Sequence, residues 1–311
     1  MISDLHTSNL NPKMYRLALY SMLILFSSCY QTAVKNEKSI IYQENNTYEV
    51  FKMPNNLKEI SGVTFINDSI VAAIEDETGT LYFYNLNQKA VVRKGTFAED
   101  GDYEDITRNG DILYIVKSNG DIFEVSNFNA EKLSTKKYKT KLKGKNDIEG
   151  ICYDEESKSL LLAIKEKNLG KDKDDKEHKN IYQFVIRTEE LKKDPVYQIN
   201  LKTIEKYFEG DKITEASKKF LKAIGNKNLN NVFKTSSITF HPITKELYVL
   251  SSINKIIIVM DKESNIKKII PLNGSYFSQP EGIAFDSNGT LFVSNEGHRN
   301  AGNIIKINNP E

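Results

Sequence analysis

Apolar residues in this chain fall into short runs separated by turns, and the runs come in sets. In QPEGIAFD (Gln279–Asp286) a turn leads into an apolar stretch; GTLFVSNEGH (Gly289–His298) and NIIKI (Asn303–Ile307) follow. The same set occurs four more times. LKEISGVTFINDSIVAAIEDETG starts at Leu57, with TLYFY from Thr80, and GDYEDITRNGDILYIVKSNG starts at Gly101, with DIFEV from Asp121. KNDIEGICYDEESKSLLLAIKEKN starts at Lys145, with NIYQFVI from Asn180, and KTSSITFHPITKELYVLSSIN starts at Lys234, with KIIIV from Lys255. Short alternating or wholly apolar runs bounded by Gly, Asn and Asp predict strands rather than helices.

Aligning the sets places Ser61, Glu104, Glu149, Ser236 and Glu281 in one column, at steps of 43, 45, 87 and 45 residues. A period near 45 with three visible strands per unit is the mark of a propeller blade. The expected fold is therefore all-β, a β-propeller of five four-stranded blades, or six if Asp194–Lys234 hides a strand-rich unit. Between the third and fourth sets the periodicity changes. Leu201, Ile204, Phe208, Phe220, Leu221 and Ile224 fall at helical spacing broken at Gly210, which predicts a short helical insertion before the fourth visible blade. The last unit stops after its third strand, and Thr47–Met53 is the natural candidate to complete it and close the ring.

The first 29 residues have a different pattern. Lys13 and Arg16 precede an apolar run, Leu17–Phe26, that is too short to span a bilayer and ends in Ser27-Ser28-Cys29. This resembles a bacterial lipoprotein signal with Cys29 as the lipidated residue, although Phe26 stands where Leu is usual; an ordinary secretory signal is the alternative. Residues 30–46 are polar and aperiodic and are expected to be a tether, which leaves 47–311 as the propeller domain. On this reading the protein sits in the cell envelope, anchored by lipid to the inner or outer membrane, with its domain in the periplasm or outside.

Charge removes one class of partner. With 43 Lys and Arg against 42 Asp and Glu there is no basic excess for nucleic acid. Two cysteines, Cys29 and Cys152, make no disulfide framework. The four histidines are scattered, and there is no G-x-S-x-G elbow, P-loop or zinc spacing.

The chemistry expected is that of carboxylates. In a propeller the first strand of each blade lines the central channel, so the aligned column gathers at one mouth. Glu104, Glu149 and Glu281 would then face one axis, with Ser61 and Ser236 completing the ring. A second ring, at the end of the next strand, would bring Asp76, Ser118, Glu166, Ser252 and Glu296. Glutamates so placed repel one another unless they are protonated, hydrogen-bonded or neutralised by a cation. Oxygen ligands without His or Cys suit Ca²⁺ or Mg²⁺ rather than Zn²⁺; Ca²⁺ is the expected ion, held by Glu104, Glu149 and Glu281, with Ser61, Asp76, Glu166, Ser236 and Glu296 contacting a ligand. The alternative is that each glutamate bonds to a neighbouring blade's backbone and only orders the ring. Lys117 and Lys165 adjoin the second ring and offer another way to balance charge. The acidic loop Glu99–Asp105 is a further possible cation site. The loop Lys167–Asn180 lacks the glycine and glutamate of an EF-hand and is read as a solvated insertion.

The I-S-G-V, D-I-E-G-I and Q-P-E-G-I-A motifs, with KEKN (Lys165–Asn168) and SNEG (Ser294–Gly297) after a lipoprotein-like leader, resemble the SdiA-regulated family of bacterial β-propellers. The second and fourth units depart from that pattern, with Asp105 and Ser237 where the motif glycine falls. The resemblance implies an exported propeller without a known reaction. The blades are more distantly similar to lactonase- and phytase-like propellers, in which a metal at the channel mouth does the work. Two functions are therefore expected to compete: a ligand- or partner-binding monomer, and a metal-dependent hydrolase of lactones or phosphoesters. A protein-interaction platform is a third, and would show an exposed apolar patch.

Overall fold

The computed structural model describes residues 47–130, 132–170, 175–208 and 233–308. The expected leader, Cys29 and tether lie outside them, as does most of the expected helical insertion. Strand β1 (Thr47–Lys52) opens the domain. Blade 1 follows as β2 (Ile60–Asn67), β3 (Ile70–Glu75), β4 (Thr80–Asn85) and β5 (Ala90–Thr96). Blade 2 is β6 (Tyr103–Asn109), β7 (Ile112–Lys117), β8 (Asp121–Ser126) and β9 (Ser134–Lys139). Blade 3 is β10 (Ile148–Asp154), β11 (Ser159–Ile164), β12 (His178–Val185) and β13 (Glu190–Asn200), after which helix α1 (Leu201–Phe208) begins the insertion. Blade 4 is β14 (Thr235–Phe240), β15 (Leu247–Ser251), β16 (Ile256–Met260) and β17 (Ile266–Pro271). Blade 5 has β18 (Pro280–Phe285), β19 (Leu291–Asn295) and β20 (Asn303–Asn308), and its fourth strand is β1.

Each blade is an antiparallel sheet in simple sequence order. The first strand of every blade packs beside the first strand of the next, and β18 packs beside β2, so five blades close a ring. The chain closes it as expected: β1 pairs with β20 from Thr47 opposite Asn308 to Lys52 opposite Asn303. This removes the open edge that β20 would otherwise present.

Burial follows strand position. The second strands, such as IVAAIE in β3 and SLLLAI in β11, are covered on both faces and almost wholly buried. Outer strands meet solvent on one side, and β5 alternates exposed and half-buried residues along its length. Between blades the sheets pack face to face through apolar side chains. Phe51, Met53, Val63, Ala284 and Phe292 join blades 5 and 1, and Tyr114, Ile122, Ile151, Leu162 and Phe184 join blades 2 and 3. Each large aliphatic or phenyl side chain buried in this way contributes about 1.5–3 kcal/mol, a single methyl such as that of Ala284 much less.

The loop at Lys167–Asn180 departs from expectation at its end. Lys179 and Asn180 belong to β12 and are buried, and Asn168 is buried too, so this part of the segment is built into blade 3.

Candidate cation site at the channel mouth

The aligned column reaches the axis through a local irregularity repeated in every blade. Each inner strand is out of register with its neighbour by one extra residue at this point. The shift lies between Tyr103 and Asp105 in β6, Ile148 and Gly150 in β10, Thr235 and Ser237 in β14, and Pro280 and Gly282 in β18. The skipped residues are Glu104, Glu149, Ser236 and Glu281. In β2 the shift spans Ile60 to Val63 and takes in Ser61. A β-bulge re-aims the extra residue, and five bulges in register turn five side chains towards one mouth.

One residue further along lie Gly62, Asp105, Gly150, Ser237 and Gly282. Here the strands approach too closely for most side chains. A Cβ on Gly62 would come within 2.6 Å of the Asp105 backbone, and one on Gly282 within 2.6 Å of the Ser61 carbonyl oxygen. The motif glycine is thus explained by close approach rather than by a positive φ. The Asp105 carboxylate takes the space left by the absent Gly62 side chain, accepting from Ile106 N–H at 2.9 Å, Ile151 N–H at 3.1 Å and the Ser237 hydroxyl at 2.9 Å. Ser237 in turn accepts from Ile283 N–H at 3.3 Å. The two departures from the glycine pattern therefore form one buried link across blades 2, 3, 4 and 5.

Above this link opens a cavity of about 320 Å³. All five residues of the predicted ring line it: Ser61, Glu104, Glu149, Ser236 and Glu281. Asp76 and Glu296 of the second ring line it as well, whereas Glu166 does not; its carboxylate pairs with Lys234 at 2.6 Å. Ser118 and Ser252 act from behind. Ser118 donates to the Asp102 carboxylate, and Ser252 donates to Glu281 Oε1 at 3.1 Å. Asp102, Asp147, Lys165 and Gln279 complete the wall. Asp147 and Gln279 were not singled out from sequence. Asp102, Asp147 and Gln279 each stand two residues before a column residue, and the period-two step along a strand is the signal that finds them.

The mouth is strongly acidic. Seven carboxylates face one ammonium, that of Lys165. Lys165 Nζ bonds to Glu149 and lies 3.8 Å from Asp147, and its backbone carbonyl accepts from the buried Lys179 ammonium. Burial would lower the Lys165 pKa, but the carboxylates of Glu149, Asp147 and Glu104 outweigh it and the value is raised. Burial pulls Lys179 down to about 8.

The carboxyl groups shift the other way. Burial, with Glu149 and Asp102 beside it, pushes Glu104 up to about 10. Burial, reinforced by Glu149, raises Glu281 to about 8. Burial raises Glu149 to about 7 against the pull of Lys165, and burial with Glu59 and Glu296 nearby raises Asp76 to about 6. Glu104 has no hydrogen-bond partner among the described residues, and Asp76 Oδ1 is buried without one. Carboxylate oxygens of Glu104, Asp147 and Glu149 lie within 4.8 Å of one another, a spacing that a single cation can bridge.

Comparison with known proteins places the fold. A search of the curated proteins finds no match. Among solved structures, the glutaminyl cyclase of Myxococcus xanthus is similar over 87% of this chain and 98% of its own, at 11% identity and a TM-score of 0.52. A streptogramin B lyase (12% identity, 85% of this chain and 98% of that one, TM-score 0.46) and a luciferin-regenerating enzyme (10%, 85% and 96%, 0.49) are similar at lower scores. At 11% identity the likeness to the glutaminyl cyclase shows a shared fold and nothing of the reaction. Across residues 178–299 the chain matches the SdiA-regulated family, the family its repeated motifs resemble.

Proposed function

We propose that this protein is an exported, lipid-anchored propeller that binds a ligand or partner at its acidic mouth, with Ca²⁺ held there. The observation that carries the reading is Glu104: a half-buried carboxyl with no hydrogen-bond partner among the described residues, its oxygen within 4.8 Å of those of Asp147 and Glu149, and pushed up to about 10 by burial and by Glu149 and Asp102. Carboxylates that merely ordered the ring would bond to backbone N–H groups, as Asp105 does. The donor set consists of hard oxygens, with no thiolate or imidazole in the cavity wall, which suits Ca²⁺ over zinc. Glu104, Asp147 and Glu149 would hold the ion, with Glu281 beside them. Lys165 already neutralises part of this charge, so a bound ion would sit towards Glu104.

The test is metal content and thermal melting of the domain, with and without a chelator, for the wild type and for Glu104→Gln. The reading predicts one Ca²⁺ per chain, a lower melting temperature in chelator, and loss of both effects in the variant. Absence of metal with identical melting in chelator would leave the glutamates a scaffolding role only. The anchor is tested separately, by incorporation of labelled fatty acid into the full chain and its loss in Cys29→Ser.

A metal-dependent hydrolase is the second reading. Glu281 lies beside the proposed ligands in the same cavity and accepts a hydrogen bond from Ser252 at 3.1 Å. A bound cation would polarise a carbonyl or phosphoryl oxygen, and Glu281 would take a proton from water as general base. Turnover of lactones or phosphoesters that requires Ca²⁺ and falls in Glu149→Gln would support it.

A further inference from the structure

A second cavity opens at the other end of the ring. The inner strands run from the acidic mouth to this face, where β6 ends near Arg108, β10 near Asp154 and β14 at Phe240. The cavity is about 610 Å³, nearly twice the volume of the first, and extends from the axis into the cleft between blades 3 and 4. That size is ordinary for a small-molecule site.

Its outer wall is made by an irregular strand. Against β12, strand β13 slips register twice: Ile181 faces Tyr197, Tyr182 faces Pro195 and Phe184 faces Leu191. Pro195 cannot donate to the ladder and sits at the bulge, where an outer strand tolerates it. The extra residues bring Val196 and Tyr197 into the cleft wall. Val196 remains 40% exposed, one of few large apolar side chains left open among the described residues.

The charged groups of this cavity balance, and most are already engaged. Arg108 donates to the carbonyls of Phe65, Ile66 and Gly110, and Asp154 accepts from the N–H groups of Glu156 and Ser157. Lys262 pairs with Glu156, and Glu155 pairs with Lys158 at 3.0 Å. His241 Nδ1 accepts from Ile243 and Thr244 N–H groups, and burial lowers the ring's pKa, so it is neutral near pH 7. Lys245 is the one lining ion without a partner among the described residues, and the remaining uncommitted polarity belongs to neutral groups. The hydroxyls of Tyr153 and Tyr197 have no hydrogen-bond partner among the described residues, and Gln183 spends its amide N–H on Ser159 at 3.1 Å, which leaves its carbonyl oxygen open.

Aromatic faces with hydroxyl and amide edges, and no net charge, select a neutral polyhydroxylated ligand. We propose that this cleft binds a short neutral oligosaccharide. One apolar sugar face would stack on Tyr197 beside Val196. Sugar hydroxyls would donate to the Gln183 carbonyl and exchange hydrogen bonds with Tyr153 and Tyr197. The lining carries no net charge to hold an ion, and a purely apolar ligand would strand the free hydroxyls and the amide oxygen.

The test is saturation-transfer NMR on the intact domain with chitotriose, cellotriose and maltotriose in turn. At least one trisaccharide should receive saturation, strongest on the ring C–H protons of one face. The signal should fall at least tenfold in Tyr197→Ala and in Val196→Asp, both at partly exposed positions, and should survive a chelator, which separates this site from the acidic mouth. No transfer to any of the three sugars, or transfer that persists in both variants, would overturn the proposal.

Discussion

Asp105 and Glu104 are neighbours in sequence with opposite surroundings. Burial pushes Asp105 well above the usual carboxylate range, but N–H groups and a hydroxyl converge on it and pull against that rise. Asp105→Ala would leave the Ile151 N–H and the Ser237 hydroxyl short of an acceptor in the buried centre. The expected cost is about 2–4 kcal/mol, read as a fall in melting temperature of roughly 4–8 °C for a domain of this size. Glu104→Gln should behave differently. Its carboxyl is neutral near pH 7 in the absence of a cation, so the amide replaces it at little cost, and stability in chelator should be unchanged or slightly raised.

The same shifts set a pH dependence. An acid whose pKa is raised by folding holds its proton longer in the native state than in the unfolded chain. Its stabilising effect is complete below the unfolded value and disappears as pH rises through the folded one. Asp76, Glu149, Glu281 and Glu104, at about 6, 7, 8 and 10, spread that loss over a wide window. In chelator, the melting temperature should decline steadily from pH 5 to pH 9. Ca²⁺ bound as proposed would compete with these protons, so the stabilisation it gives should grow over the same range.

At the scale of elements, closure of the ring depends on β1. Phe51 and Met53 are each 4% exposed and pack between blades 5 and 1. Phe51→Ala should cost about 3–5 kcal/mol, and a chain starting after Lys52 should expose β20 and self-associate, which light scattering would show. Gly282→Ala should destabilise as well, because its Cβ would press on Ser294 Oγ and on the Ser61 carbonyl. Most of these elements were legible in the sequence: the repeat pointed to five blades, with a sixth left open across Asp194–Lys234, and the truncated fifth unit called for β1. The column Ser61, Glu104, Glu149, Ser236, Glu281 was legible too, because repetition marks equivalent positions whatever the side chain. What could not be read was which side chains meet. Lys165 reaching across its own hairpin to Glu149, and Glu166 turning to Lys234 and Asp105 answering Gly62 across blade boundaries, depend on packing that the repeat does not carry. The irregular pairing of β13, which builds the second cavity, likewise leaves no periodic trace.

For the whole molecule, five short sheets joined by apolar faces make a rigid ring with two differently built ends. One end concentrates carboxylates around Glu104, Glu149 and Glu281; the other balances its charges and keeps tyrosine hydroxyls open. The ring supplies the acidic end with pre-set oxygen spacing, so a cation would bind without reorganising the strands. Binding to the folded state alone stabilises it by about 2.7 kcal/mol at one hundred times the dissociation constant. Calorimetric titration of Ca²⁺ into chelator-stripped domain at pH 8 tests this most directly, with Glu149→Gln alongside. One site per chain, an affinity at least tenfold weaker in the variant, and proton release on binding are the predicted results. No heat and no saturable binding at millimolar Ca²⁺ would contradict the account and leave the acidic mouth to a cationic organic ligand or to Lys165 alone.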